Sequence, residues 1–456
     1  MPPTPKISTA REAIARHVRG EMILPDVLRA FEEVGRGGAE VKEPRGTVVV
    51  ATLPGDVHHI GTALLYTVLD SAGYAVHDLG MQVPIQTIIE AAARLNADAI
   101  ALSALLVTSS RQMPVCIQAL DQRGLRIPVL VGGAAINRAF GRRSGVLPDG
   151  RVYAAGVFYC RDVFEGLAAL DALTDPAQRQ SAIDEVRAEI AAERDHGPQS
   201  SPRPRSAAMQ ARRAVEVPVP PYWGARRRQV DLREVWHSLD RNTLFRFHWG
   251  GYRASDADFP EIVRRQFEPW FDRLTQDALR EGWLEARVVG GYFACRAEGD
   301  ALHFLDADVR LDFPRQSDGE RLCLADYFNN TRDVVALQAV TVGPRPGEYI
   351  QHLQREGQYV KMLLVNGLAS ATAEALADYG HQLARRDLGL SPERGLRYSW
   401  GYAACPDLAD QRKVLPLLDA EAGIGLTLTE SDTLSPEHST VAIVVHHPDA
   451  TYFAVR

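Results

Sequence analysis

The sequence predicts an α/β Rossmann-like (flavodoxin-like), doubly wound domain followed by a separate α+β domain. Three observations carry this. Between Arg45 and about Leu173, β-branched apolar runs alternate with amphipathic stretches, the pattern of parallel strands joined by crossover helices. The stretch GPQSSPRPRSAAMQARRAVEVPVPP then mixes Pro, Ser and Arg without apolar periodicity, as interdomain linkers do. From about Tyr222 onward, long helical periodicities are interspersed with short strand-like runs.

In order, a segment with helical spacing (Ile14, Val18, Ile23, Val27, Leu28, Phe31) comes first and is too short to bury a core alone, so it must pack on something else. Strands are expected at residues 47–53, 75–79, 99–103, 128–132 and 152–155, with helices from about Ile60, Ile85, Gln112 and Asp162. Residues 175–195 read as helical and charged. The second domain carries helices over 261–281 and 357–388 and the strand-like runs ALHFLD, VVALQAVTV and TVAIVVHHP. The expected division is 1–44, 45–175, a linker over 176–219, and 220–456.

Composition narrows the function classes. The chain is 46% apolar and 24% charged with a formal net charge of -7, which argues against a nucleic-acid or other polyanionic partner. No basic-flanked leader and no window of the ~18 to 20 apolar residues that a membrane span needs is read, so the expectation is a cytoplasmic protein with no membrane partner. The five cysteines are scattered singly with no C-x-x-C pair, so neither a disulfide framework nor a structural zinc site is expected.

The strand ending VVVATLPGDVHHIG delivers Asp56, His58 and Gly61 onto a loop at its carboxyl end, where open α/β sheets bind ligands. A histidine there can coordinate a cofactor metal, and Asp56 is placed to accept its other ring N–H, fixing the tautomer. A surface histidine with a neighbouring acid is the alternative. Later strands end in Ser103-Ala104-Leu105, with Thr108 close behind, and in Gly132-Gly133. A serine hydroxyl can join the Asp–His hydrogen-bond chain, and paired glycines admit a bulky nucleotide loop where a Cβ would clash. A satisfied core hydroxyl and a helix-capping turn are the plainer alternatives.

D-x-H-x-x-G, S-x-L and GG in this order resemble the cobalamin-binding domain of cobalamin-dependent methionine synthase and of related corrinoid proteins and mutases. The likeness is nearly continuous over VVVATLPGDVHHIGTALLYTVLDSAGYAVHDLGMQVP and ADAIALSALLVTS. The resemblance implies a cobalamin cofactor held base-off and His-on, with His58 as the cobalt ligand, Asp56 and Ser103 behind it, and Gly61, Leu105, Thr108, Gly132 and Gly133 around the displaced nucleotide tail. His59 stands where the family usually has an aspartate. GEMILPDVLRAFEEV resembles the end of the family's helical cap, so residues 1–44 are expected to form a truncated cap that another chain could complete.

In the second domain, RYSWGYAACPD supplies Arg397, Ser399, Gly401 and Tyr402. An arginine among aromatics suits a carboxylate or a flat ring, and is also a common surface feature. The segment resembles the R-x-x-x-G-Y-x-A-C-P motif of the S-adenosylmethionine-binding activation domain of methionine synthase. PVPPYWGARR, LDRNTLFRFHW, LEARVVGGYF, RLCLADYF, GLTLTES and VHHPDATYF follow in that family's order. The resemblance implies that Arg397 holds the carboxylate of S-adenosylmethionine, Asp240 its amino group, and backbone near Ser399 its adenine, with Gly401 also among the cofactor-binding residues and Tyr402 near the corrin. Asp240 requires a one-residue gap, and a helix cap is its alternative reading. Val444 replaces a tyrosine that often lines the nucleoside site.

No homocysteine barrel with a cysteine-ligated zinc, no folate barrel and no mutase barrel is read, nor the C-x-x-x-C-x-x-C of iron–sulfur radical enzymes. Three functions follow. The first is the methyl-carrier and reactivation half of a split methionine synthase or related methyltransferase, in which S-adenosylmethionine methylates cob(I)alamin. Its expected partners are separate substrate-barrel subunits and flavodoxin or ferredoxin. The second is a stand-alone biosynthetic enzyme using S-adenosylmethionine for alkyl transfer or cyclisation, motivated by the short cap, His59 and Val444. A cobalamin sensor or store is the third, for which no DNA-binding helix-turn-helix is read.

Overall fold

The computed structural model describes residues 9–36, 43–58, 60–105, 107–134, 136–195, 215–317 and 320–453. His59 and most of the Pro-, Ser- and Arg-rich linker lie outside them. The chain divides into two compact units, one of residues 1–200, 245–268 and 351–364, the other of residues 201–244, 269–350 and 365–456.

The first unit is built on five parallel strands, β1 (Thr47–Thr52), β2 (Ala75–Asp78), β3 (Ala99–Ser103), β4 (Val129–Gly132) and β5 (Val157–Tyr159), in the order β2-β1-β3-β4-β5. β1 is buried at five of its six positions, because helices cover both faces of such a sheet and leave no polar side. The helices are α1 (Ala10–Val18), α2 (Leu24–Arg36), α3 (Ile60–Ser71), α4 (Ile85–Arg94), α5 (Val107–Ser110), α6 (Gln112–Gln122), α7 (Arg138–Ser144), α8 (Val163–Thr174) and α9 (Arg179–Asp195). The order is the flavodoxin-like one, with its reversal between β1 and β3, and a ligand crevice opens at the carboxyl ends of the strands at such a reversal.

The expected strand at 152–155 is a correction. Val152 makes only an isolated bridge to Val146, and the strand that enters the sheet is Val157–Tyr159. The apolar character of 152–155 serves a folded loop instead: Tyr153 is 1% exposed and donates its hydroxyl to the carbonyls of Leu125 and Ile127, each at 2.9 Å. Gly156 at φ +83° then turns the chain into β5. α7, capped by Asn137, was not read from the sequence. α9 buries Ile190 in the core of this sheet, so the fold continues past residue 175. α1 lies along α8, where Arg11 pairs with Asp171 at 2.7 Å and the His17 ring stands 4.4 Å from Phe164.

From residue 215 the elements are β6 (Gly224–Arg228), α10 (Leu232–His237), α11 (Arg241–Thr243), α12 (Phe259–Ile262), α13 (Glu268–Glu281), β7 (Arg287–Glu298), β8 (Ala301–Phe304), β9 (Arg310–Asp312), β10 (Asp333–Thr341), α14 (Arg345–Arg355), α15 (Tyr359–Asp387), β11 (Leu396–Ser399), α16 (Gln411–Leu417), α17 (Ala420–Ile424), β12 (Thr427–Leu428), β13 (Leu434–Ser435) and β14 (Ser439–Val445). The helix expected over 261–281 is interrupted by a π turn at Val263–Phe267. The main sheet runs β11-β14-β10-β7-β8-β9 with β6 also on β7, every pairing antiparallel. β10 is buried at all nine positions. α15 corrects the reading of no long apolar window: by length and composition it could cross a membrane, yet 78% of that window is buried inside the protein, the place of a core helix.

Candidate functional site

The site grows from the turn after β1. In Leu53-Pro54-Gly55-Asp56 the Asp56 N–H reaches the Leu53 carbonyl at 3.1 Å, with proline second and Gly55 third at φ +88°, as a type II turn requires. The turn drives Asp56 fully inside. Its Oδ1 accepts the His58 amide at 3.1 Å, and the His58 ring Nδ1 lies 2.6 Å from the same oxygen. Its Oδ2 accepts the Leu105 amide at 2.6 Å and the Ser109 hydroxyl at 2.8 Å. One carboxylate thus ties the loop after β1 to the loop after β3 across the reversal in strand order. Burial pushes the Asp56 carboxyl upward, but the bonds and charge from His58 and the Leu105 amide together hold it below its ordinary value. With Nδ1–H given to Asp56, Nε2 is the ring nitrogen left to act as a ligand, on a side chain that is 20% exposed.

Ser109, which the sequence reading passed over, takes the hydroxyl role expected of Ser103. Ser103 Oγ instead lies 3.2 Å from where a Cβ on Gly61 would stand, at the start of α3. The available signal was the second serine of the same run, SALLVTS, six residues on. The Thr108 side chain lies outside the described residues. The glycine pair has its first reason inside the fold: a Cβ on Gly132 would stand 2.9 Å from the Cys160 carbonyl oxygen, and one on Gly133 2.1 Å from that of Ala104. Gly133 is exposed and Leu105 is 41% exposed, so both reach solvent at the carboxyl ends of β4 and β3.

In the other unit, Arg397 and Ser399 share one face of β11. Arg397 Nη1 lies 3.4 Å from Ser399 Oγ, and Nη2 donates to Asp378 of α15 at 2.9 Å. The next residues fold back tightly: Gly401, at φ +91°, donates to the Cys405 carbonyl, and Cys405 donates its amide to Tyr402 and its thiol to the Ser399 carbonyl, each at 3.0 Å. This leaves Tyr402 72% exposed at the tip. His381 of α15 is buried, and burial together with the positive charge of Arg385 and Arg397 pushes its imidazole down to about 4. Neither Asp378 nor His381 was read from the sequence.

Arg397, Ser399, Gly401 and Tyr402 are therefore together, whereas Asp240 is engaged as a helix cap. Its Oδ1 accepts the Thr243 amide at 3.0 Å and its Oδ2 the Thr243 hydroxyl at 2.6 Å, and these bonds hold its carboxyl below the ordinary value. Val444 is 1% exposed and packs with Tyr292, Val334, Ala336, Ala384 and Leu388.

Residues 46–146 match the B12 binding domain, and residues 270–456 match the vitamin B12 dependent methionine synthase activation domain. The chain is 34% identical to methionine synthase of Mycobacterium tuberculosis (strain ATCC 25618 / H37Rv) and 32% identical to that of Mycobacterium leprae (strain TN), in each case over 96% of this chain and 42% of the relative. It thus spans less than half the length of these curated relatives. Among solved structures, the MetH reactivation domain bound to AdoHcy is similar at 24% identity and TM-score 0.48, over 53% of this chain and 83% of that one. The methanol:cobalamin methyltransferase complex MtaBC from Methanosarcina barkeri is similar at 24% identity and TM-score 0.33, over 39% and 68%. The chain thus carries a B12 binding domain followed by a vitamin B12 dependent methionine synthase activation domain.

Proposed function

We propose that this chain is the methyl-carrier and reactivation component of a cobalamin-dependent methyltransferase, in which S-adenosylmethionine is the methyl donor to the reduced cofactor. The observation that carries the reading is the buried Asp56, which fixes one nitrogen of His58 and leaves the other to a metal at the mouth of the strand-order reversal. Cobalamin, when bound, supplies a cobalt centre that accepts and releases a methyl group. His58 Nε2 would hold the cobalt, and Asp56 with Ser109 would keep the imidazole in the right tautomer. Ser103, Thr108, Gly132 and Gly133 would border the nucleotide tail. Arg397 would hold the donor's carboxylate and backbone near Ser399 its adenine, with Gly401 and Tyr402 in the same segment. For Asp240 to take the amino group it would have to release Thr243. Substrate-binding partners and a flavodoxin or ferredoxin reductant are part of the same reading.

The test is an anaerobic incubation of reduced, cobalamin-loaded protein with S-adenosylmethionine, with products identified by mass. S-adenosylhomocysteine is expected. Methylthioadenosine with a cyclised or transferred aminobutyrate would instead mark a separate biosynthetic enzyme.

Two variants belong with it. His58→Ala is expected to fold normally and to shift the bound-cobalamin absorption spectrum away from the histidine-ligated form; an unchanged spectrum removes His58 as ligand. Arg397→Ala is expected to weaken S-adenosylmethionine binding by about 1.5 to 3 kcal/mol, the cost of a lost charge-assisted contact, while cobalamin titration stays unchanged. Equal affinity for S-adenosylmethionine by calorimetry would remove Arg397 from the site.

A further inference from the structure

We propose that Asp378 is a specificity-determining latch on Arg397: its carboxylate occupies the guanidinium until the carboxylate of an amino-acid-bearing nucleoside displaces it. This rests on the reading of Arg397 given above and says how that site selects its ligand.

The two partners are unequally placed. Asp378 is 65% exposed and Arg397 only 20% exposed, so the carboxylate reaches in from solvent to a half-buried guanidinium. On α15, Asp378, His381 and Arg385 are spaced as residues of one helix face. His381 is 7% exposed, its Nε2 has no partner among the described residues, and its imidazole is uncharged at neutral pH. Arg385 gives Nε to the Arg394 carbonyl at 3.0 Å and Nη2 to that of Gly395 at 2.8 Å. Among the described residues, the carboxylate paired with Arg397 is therefore that of Asp378.

The pairing is also incomplete. Among the described residues, Asp378 makes one bond, to Nη2, and Nη1 has the long contact to Ser399 Oγ. A free α-carboxylate can take both arms of the guanidinium fork, one bond more than Asp378 makes. The displaced Asp378 returns to water with little loss, since exposed pairs are weak. A nucleoside lacking a carboxylate cannot make the exchange and gains nothing from Arg397. Discrimination is then the difference between these two cases.

The experiment is calorimetric titration of the full chain with S-adenosylhomocysteine and with methylthioadenosine, which lacks the carboxylate. Asp378→Asn is expected to bind S-adenosylhomocysteine about two- to fivefold more tightly, the range of an exposed ion pair, with methylthioadenosine unchanged. Asp378→Glu, which restores the carboxylate, is expected to return to wild-type affinity. Equal or weaker binding of S-adenosylhomocysteine by Asp378→Asn overturns the latch alone, weaker binding meaning that Asp378 steadies Arg397 or receives the ligand's ammonium. Failure of the wild-type chain to bind S-adenosylhomocysteine overturns the reading of Arg397, and the latch with it.

Discussion

Asp56→Ala is expected to lower cobalamin affinity 10- to 100-fold, on the order of a lost orienting carboxylate behind a metal-ligating histidine, and to destabilise the α/β unit by about 3 to 5 kcal/mol. The size follows from where the carboxylate sits. Asp56 has no exposed surface, and alanine would remove the acceptor shared by four donors: the His58 amide and ring, the Leu105 amide and the Ser109 hydroxyl. His58 is partly exposed and can find water, whereas Ser109 is 2% exposed and loses its bond to Asp56 away from solvent. Cobalamin titration reads the first effect and the melting temperature of the unit the second. Unchanged affinity would mean that His58 needs no orientation from below.

The same residue sets an acid limit. Its carboxyl is held below the ordinary 3.8 in the folded state, so its contribution to stability is complete above that value and is lost as the pH falls through the depressed one. Wild-type melting is therefore expected to lose this contribution as the pH falls below the ordinary carboxylate value, and Asp56→Ala to lack that part of the acid dependence.

How much of this was legible depended on whether a pattern had a single physical cause. Residues 47–52 and 99–103 read correctly as strands because a sheet covered on both faces permits only apolar runs there. Residues 152–155 look alike and are not a strand, since Tyr153 is buried by a folded loop, and periodicity does not distinguish burial in a loop from burial in a sheet. Asp56 and His58 were legible because two residues of spacing put both on one turn. Ser109 rather than Ser103 was not, because both are hydroxyls of one run and the choice depends on how the chain after β3 folds back onto Asp56. Asp378 reads as a solvated acid on a long helix, and its pairing with Arg397 exists only once β11 lies against α15. The strand order of the larger sheet likewise needs pairings between distant segments, which composition does not encode.

Gly133→Ala is expected to be the most damaging glycine-to-alanine change among the described residues, costing about 3 to 5 kcal/mol from overpacking together with a strained backbone. At φ +118° the residue already occupies a conformation that side chains disfavour, and its Cβ would lie 2.1 Å from the Ala104 carbonyl oxygen and 2.8 Å from the Ala104 nitrogen. These are backbone atoms, so no rotamer change relieves the contact. The ends of β3 and β4 must part instead, against the Ala104 amide bond to the Gly132 carbonyl at 3.1 Å. Leu105, the next residue, carries the amide held by Asp56, so the displacement passes directly into the histidine site. Gly150→Ala is the control: it has a similarly positive φ, +81°, but nothing within 4 Å of the added Cβ, so it keeps the strain and lacks the collision, costing about 1 to 2 kcal/mol. Urea denaturation and cobalamin titration of the two variants separate the terms. Gly133→Ala should be the less stable and should also bind cobalamin more weakly, whereas Gly150→Ala should bind it as the wild type does. Equal stability of the two would mean that the loop after β3 yields freely, and a loop that yields freely could not hold the Leu105 amide at a fixed place under Asp56.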